Sequence, residues 1–136
     1  MKPLKLVIDT NVWISFFINN KFVELTELIL NQNHTVFTSF QLKFELETVL
    51  MRPKFSKYLK KSISEYTTLH NNLTETKVII PSYTNSPDPD DNFLFDLAIQ
   101  HNGDFIVTGD KLLLNFKHKE NFKIITLKTF KELGKN

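Results

Sequence analysis

The stretch Leu4-Lys5-Leu6-Val7-Ile8-Asp9-Thr10-Asn11 decides the fold, because it is a short apolar run that ends in an aspartate. A second run of this kind, Phe105-Ile106-Val107-Thr108-Gly109-Asp110, lies near the other end of the chain. β-Branched and aromatic residues bounded by turn residues predict a buried strand in each run. Parallel strands align their carboxyl ends at one edge of a sheet, where open α/β folds bind ligands. We therefore expect Asp9 and Asp110 to face one crevice, where their repulsion favours a bound cation.

Size and composition indicate one globular domain over residues 1–136. The chain has 136 residues, of which 41% are hydrophobic, and this length is sufficient for one core and short for two. No apolar run approaches the ~20 residues of a membrane-spanning helix, and the start of the chain has no secretory apolar region. The lack of cysteine excludes disulfides and thiolate-bound zinc. We expect a cytoplasmic protein without a membrane segment.

Strands alternate with helices along the chain, which predicts a three-layer α/β/α fold around a mostly parallel β-sheet. The strands are expected at 4–8, 35–37, 78–80, 105–107 and 123–126, and the helices at 12–18, 22–32, 41–50, 56–72 and 90–101. Thr38 and Gln41 have the form of a capping box, which would open the third of these helices.

Glu45 is the unusual acid of the helix 41–50. The apolar stripe of this helix consists of Leu42, Leu46, Val49 and Leu50. Helical spacing puts Glu45 on that stripe, whereas Glu47 points away from it. A buried carboxylate is costly unless it is paired or bound to a metal, so Glu45 is a candidate ligand. The alternative is that Glu45 lies at the margin of the stripe and reaches water.

Asp91 continues the apolar face of the helix 90–101 by one turn. Acids at the start of a helix are also favoured by free N–H groups and by the helix dipole. That capping role is the alternative for Asp91 and for the acids after the two strands, and it suits Asp88 well. Asp96 lies in the middle of the helix, off the apolar face, where it is either a surface acid or a support for a metal ligand.

The segment Met51–Ser64 carries several cations and no acid. The cations are Arg52, Lys54, Lys57, Lys60 and Lys61. A basic surface beside an acidic centre suits a polyanion that is held by its flanks and processed at a metal. The alternative is a solvated basic face, which is common on protein surfaces.

These motifs, taken in order, resemble the PIN domain family, and within it the toxins of bacterial toxin–antitoxin systems (VapC-like). The resemblance runs from Leu4 to about Thr126 and rests on the ordered combination. Its segments are Val7–Val12, Glu45, Arg52–Phe55, Asp88–Asn92 and Val107–Asp110.

This resemblance implies a metal-dependent endoribonuclease with a central parallel sheet. The acidic tetrad of the family, which is both catalytic and metal-binding, corresponds here to Asp9, Glu45, Asp91 and Asp110. Asn11 and Thr108 match polar positions that support the first and last acids. Asp96 stands where this branch usually has a glutamate, which is one methylene longer.

Carboxylate oxygens without Cys or clustered His favour Mg²⁺ or Mn²⁺, as one or two ions, over zinc. Water activated by metal would attack a phosphodiester of RNA in line and leave a 5′-phosphate and a 3′-hydroxyl. The resemblance further implies a homodimer and a small antitoxin whose peptide covers the active site. The histidines are expected to be ordinary surface or helix-end residues: His34, His70, His101 and His118.

Two other classes of protein stay open at this point. A phosphotransfer domain of the haloacid dehalogenase or receiver kind would use Asp9 after the first strand. The former needs a second Asp where Asn11 stands, and the latter usually needs an acid pair where Asp9 is followed by Thr10. The other class is a non-catalytic PIN-like module that binds RNA or protein, and the intact tetrad argues against it.

Overall fold

A central sheet of five parallel strands organises the protein, which is described for residues 2–134 by a computed structural model. In chain order the strands are β1 (Lys5–Ile8), β2 (Thr35–Thr38), β3 (Glu75–Thr76), β4 (Phe105–Val107) and β5 (Lys123–Ile125). Across the sheet the order is β3-β2-β1-β4-β5. The outermost residues of the predicted domain 1–136 lie outside the described range.

Helices connect the strands and complete the three-layer α/β/α fold, as predicted. They are α1 (Thr10–Ile18), α2 (Phe22–Leu30), α3 (Phe40–Leu50), α4 (Pro53–Ser56), α5 (Ile63–Leu73), α6 (Asn92–Gln100), α7 (Lys111–Leu114) and α8 (Leu127–Leu133). A single 3-10 turn, Pro89–Asp91, precedes α6. Strand residues and helix residues such as Trp13 and Phe95 share one apolar core. Among residues 2–134, no helix is both long and apolar enough to cross a bilayer.

The register between β1 and β4 positions the candidate site. The chain runs from β1 to β2 and β3 on one side, and then places β4 on the other side of β1. Ile8 pairs with Val107, so the residues that follow, Asp9 and Thr108, are neighbours. The N–H of Asp9 donates to the carbonyl of Val107 at 2.9 Å. Because chain connections diverge at β1, a crevice opens there at the carboxyl edge of the sheet.

The strand predicted at 78–80 is wrong, because the sheet pairing ends before it. The N–H of Lys77 still donates to β2 at 2.8 Å. Beyond it, the side chain of Gln100 accepts from the N–H of Ile80 at 2.9 Å and donates to its carbonyl at 2.7 Å. The backbone of this segment therefore binds α6 instead of extending the sheet.

The continuous helix predicted over 56–72 is also wrong. The chain forms the short α4 and then starts α5 afresh at Ile63. The hydroxyl of Ser62 accepts the N–H of Glu65 at 3.1 Å and donates to its carboxylate at 3.4 Å, so Ser62 caps the start of α5. The cap of α3 is Ser39, whose hydroxyl accepts a first-turn N–H at 3.2 Å, and not Thr38 as the sequence suggested.

Two of the histidines are buried, contrary to the sequence-based expectation. The Nδ1 atom of His34 accepts the N–H of Leu4 at 2.9 Å. His70 packs edge-on against Trp13, with ring centroids 4.5 Å apart, and its buried Nε2 has no hydrogen-bond partner within residues 2–134. Burial, assisted by the charge of Lys43, lowers the pKa of His70 from 6.5 to about 4. The imidazole is therefore neutral in the folded protein near neutral pH.

The buried imidazole predicts a loss of stability in acid. The pKa of His70 is lower in the folded state, so the free energy of unfolding is unaffected above about pH 6.5. It decreases progressively as the pH falls from 6.5 toward 4. Between about pH 7.5 and about pH 5, the free energy of unfolding of wild type should fall by roughly 2 kcal/mol more than that of His70→Leu. Urea denaturation at both pH values measures this difference, and equal pH dependence in the two proteins would contradict it.

Candidate active site

Asp9 is the buried member of a group of acids at the carboxyl edge of the sheet, and it is only 5% exposed. Its Oδ1 atom accepts the N–H of Thr10 at 2.7 Å, which caps α1. Its Oδ2 atom accepts the hydroxyl of Thr108 at 2.7 Å. The pKa of Asp9 is raised to about 6, mainly by burial and also by the charges of Glu45 and Asp110, whereas the hydrogen bonds from Thr108 and Thr10 lower it.

Thr108 connects Asp9 to Asp110. Its hydroxyl donates to Asp9 and accepts the N–H of Asp110 at 3.0 Å, so one buried side chain orients both segments. The carboxylate of Asp110 accepts the N–H of Leu112 at 2.9 Å and caps the short α7. Asp110 is therefore a helix cap and, at the same time, an acid that faces the charge of Asp9.

Asp91 ends the 3-10 turn and begins α6, but its side chain makes no capping bond there. The turn is fixed by Asp88, whose carboxylate accepts the N–H of Asp90 at 3.0 Å. Burial, together with the charges of four nearby carboxylates, raises the pKa of Asp91 to about 7. In order of effect, these belong to Asp9, Asp88, Glu45 and Asp110. Asp91 thus lies within electrostatic reach of every other predicted acid.

Glu45 approaches the same point from α3. It is half-buried and lines the cavity that also contains Asp9 and Asp91, and its charge raises the pKa of both. Glu47, two residues later, is exposed and faces a different, smaller cavity beside His70. The helix periodicity therefore distinguished the two glutamates correctly.

One open cavity of about 420 Å³ collects these side chains at the sheet edge. The four predicted acids line it from four separate segments of the chain, together with the predicted supporting residue Asn11. Thr108 lies directly beneath, through its bond to Asp9. The cations Arg52 and Lys54 line the same cavity. Acids and cations therefore share one solvent-accessible space, which suits an anionic substrate.

The donor chemistry of the cavity suits a hard divalent cation. All four acids offer carboxylate oxygens, and the chain has no cysteine. As the side chains stand in residues 2–134, no group of three or more acids or histidines is arranged to hold one ion. Holding one ion would require these carboxylates to move closer together, and the charge of the ion would offset the repulsion that raises the pKa of Asp9 and Asp91.

Four residues named from the sequence lie elsewhere. The carboxylate of Asp96 is buried under the loop before α6, where it accepts the N–H groups of Ser82 and Tyr83 and a bond from Gln100. It therefore supports that loop, and we withdraw it as a support for a metal ligand. Of the lysines proposed to bind RNA, three do not line the cavity: Lys57, Lys60 and Lys61.

Part of the cavity wall was not predicted from the sequence. Asp88 was interpreted only as a cap, yet it lines the cavity and also raises the pKa of Asp91. Several apolar residues line it as well: Ile14, Ile18, Val49 and Phe55. The sequence did contain one signal: Val49 follows Glu45 by four residues, so both lie on one helix face. This spacing was interpreted only as packing of Val49 in the core.

A protein of known structure has a similar fold. The chain is similar to one chain in the crystal structure of VapBC2 from Rickettsia felis bound to a DNA fragment from their promoter. The TM-score is 0.58 at 16% sequence identity, and the match covers 90% of this chain and 98% of that one.

Sequence comparison identifies the family. The model of the PIN domain family matches residues 5–112. An uncharacterized protein of Methanocaldococcus jannaschii, MJ1680, is 30% identical over 124 residues, which are 88% of this chain and 79% of that protein. The chain belongs to the PIN domain family, and the resemblance noted from its motifs is confirmed.

The crowding of carboxylates predicts that removing one charge stabilises the metal-free protein. A pKa raised by folding means that stability is fully present below the ordinary value near 3.8 and is lost as the pH rises through about 7. In chelator at about pH 8, Asp91→Asn should therefore unfold at a higher temperature than wild type, whereas most substitutions destabilise. Near pH 4 the difference should disappear.

Asp90→Asn is the matched control, because Asp90 is exposed and does not line this cavity. It should not raise the unfolding temperature. Mn²⁺ should stabilise wild type more than Asp91→Asn, because a ligand that binds the folded state stabilises it by mass action. A lower unfolding temperature for Asp91→Asn in chelator at pH 8 would show that Asp91 belongs to no shared acidic site.

Proposed function

We propose that this PIN domain is an endoribonuclease that hydrolyses RNA phosphodiester bonds with Mg²⁺ or Mn²⁺. The observation that carries the proposal is the meeting of Asp9, Glu45, Asp91 and Asp110 in one cavity that also contains cationic side chains. Purely structural caps would have no reason to face one another, because each like-charge contact costs free energy. Membership of the PIN domain family, whose members are generally nucleases, supports the same function.

The tetrad, including the buried Asp9, would hold one or two divalent ions. When bound, such an ion neutralises charge on the phosphoryl oxygens and lowers the pKa of the attacking water. The Thr108 hydroxyl and the Thr10 N–H hold the Asp9 carboxylate in one orientation. In the proposed reaction the water oxygen bonds to phosphorus as the bond to O3′ breaks. The attacking water loses one proton to the solvent and the leaving oxygen gains one, so the products carry a 5′-phosphate and a 3′-hydroxyl.

In this proposal, the cations that line the cavity bind the RNA substrate. Arg52 and Lys54 line it beside the acids and would contact phosphates on either side of the scissile bond. Lys57, Lys60 and Lys61 would extend the positive surface along the RNA from outside the cavity, through longer-range attraction.

We further propose that the chain is the toxin of a type II toxin–antitoxin system and acts in the cytoplasm. The likeness of its fold to a chain of the VapBC2 complex supports this. The implied partners are RNA, a second copy of the chain and a small antitoxin that covers the cavity.

Phosphotransfer through Asp9 has less support. Both oxygens of Asp9 already accept hydrogen bonds, and neighbouring carboxylates would repel an incoming phosphoryl group. A non-catalytic module that binds RNA or protein is the remaining alternative, and an activity assay separates it from a nuclease.

The proposal predicts that cleavage depends on Asp9, the buried acid of the tetrad. With a labelled single-stranded RNA in Mn²⁺, Asp9→Asn should reduce the rate by roughly a hundredfold or more, because it removes a charge that positions the cation. Glu47→Gln changes an exposed acid outside the cavity by the same chemistry and should retain nearly full activity.

Gel analysis of the end products provides the second measurement, with 5′-phosphate and 3′-hydroxyl termini expected. Full activity in chelator, or equal loss of activity in the two variants, would refute the proposed roles. Absence of cleavage by wild type together with tight RNA binding would favour the non-catalytic module.

A further inference from the structure

Two helices, α1 and α3, form walls of the cavity. Along each helix, with its capping residue included, the residues that line the cavity begin with an acid and end with an apolar side chain. On α3, Glu45 is followed by Val49 four residues later, and Arg52 comes two residues after the helix ends; all three line the cavity. The spacing of i and i+4 puts Glu45 and Val49 on one helix face, ~6 Å apart along the helix axis. In chain order, this wall therefore presents an acid and an apolar group on α3 and then a cation beyond the end of the helix.

The second wall, α1, follows the same order. Capped by Asp9, it presents Thr10 and Asn11, then Ile14 and Ser15, and finally Ile18 to the cavity. Both α1 and α3 begin at the carboxyl edge of the sheet, and the two helices pack against each other. Their apolar ends therefore lie together, away from the tetrad.

Phe55 of α4 completes this apolar end. Its ring is half-buried and lines the cavity, and the Nζ atom of Lys54 lies 5.1 Å from the ring centroid. The cation and the ring are thus adjacent, within reach of a ligand that offers both a negative charge and a flat aromatic face.

We propose that Ile18, Val49 and Phe55 form a nucleobase subsite, in which the base next to the scissile phosphate stacks on the Phe55 ring. This inference rests on the proposed function, and it specifies the substrate as RNA with an unstacked, unpaired base at that position. Aromatic side chains bind bases through stacking, which tolerates any sequence and requires a single strand. The subsite would thus select single-stranded over double-stranded RNA.

The charges around the subsite favour a nucleotide over an apolar peptide segment as its occupant. The apolar residues share the cavity with the carboxylates and with the cations Arg52 and Lys54. A nucleotide supplies a partner for each part, because its base covers the ring and its phosphates meet the cations. The cavity of about 420 Å³ is within the usual size of a small-molecule site.

The test separates base binding from phosphate binding. Fluorescein-labelled hexauridylate and an abasic ribose-phosphate hexamer of equal charge are titrated against Asp9→Asn in Mg²⁺, and fluorescence anisotropy measures both affinities. Hexauridylate should bind at least about fivefold more tightly, as expected for stacking of one base. Adding Phe55→Leu, which keeps an apolar side chain, should reduce this ratio to below about twofold, whereas Phe55→Trp should maintain or increase it.

Phe44→Leu is the matched control, because Phe44 is an exposed aromatic residue that lies outside the cavity wall, and it should leave the ratio unchanged. An unchanged ratio of the two affinities in Phe55→Leu would overturn the subsite, and the apolar residues would then be candidates for binding a protein ligand. Equal weakening of both probes would also overturn it, since that indicates a structural role. If Phe55→Leu does not fold, a reduced ratio in Phe55→Trp overturns the proposal and a maintained one supports it.

Failure of the subsite and failure of the proposed function give different results. Binding is measured in a variant designed not to cleave, so a base-dependent affinity through Phe55 stands even if wild type never cuts RNA. Conversely, RNA cleavage by wild type without any effect of Phe55→Leu on the ratio would refute the subsite alone.

Discussion

The hydrogen bond from the Thr108 hydroxyl to the Asp9 carboxylate joins two strand ends that are 99 residues apart in the chain. It exists because β1 and β4 are adjacent and parallel, with Ile8 in register with Val107. The same hydroxyl accepts the N–H of Asp110, so the position of that acid depends on it as well. The approach of Asp9 and Asp110 is thus a consequence of one strand pairing in the centre of the sheet.

Gathering acids at this point costs stability in the absence of a cation. Burial and mutual repulsion raise the pKa of Asp9 to about 6 and that of Asp91 to about 7, which means that ionised carboxylates are disfavoured there. Folding is supported elsewhere, by an apolar core that includes Trp13 and Phe95. Such strain is typical of functional sites, where local stability is given up for ligand binding.

The sequence was sufficient for the sheet centre and for the acids, because both depend on local patterns. Apolar runs ending in Asp predicted β1 and β4, and helix periodicity separated Glu45 from Glu47. It failed where a distant side chain decides the backbone. Gln100 binds the segment that was predicted as a strand, and Asp96 was misjudged because its partners are loop N–H groups thirteen and fourteen residues away.

The central claim is that acids from separate segments share one electrostatic environment, and carboxyl carbon-13 NMR tests it most directly. Titration of the metal-free protein should show Asp9 and Asp91 ionising with midpoints near 6 and 7, well above the ordinary 3.8. Asp110→Asn should lower both midpoints, and so should saturating Mg²⁺, because each removes or compensates a neighbouring negative charge. Midpoints close to 4 for both residues, unmoved by Asp110→Asn and by Mg²⁺, would contradict the shared site.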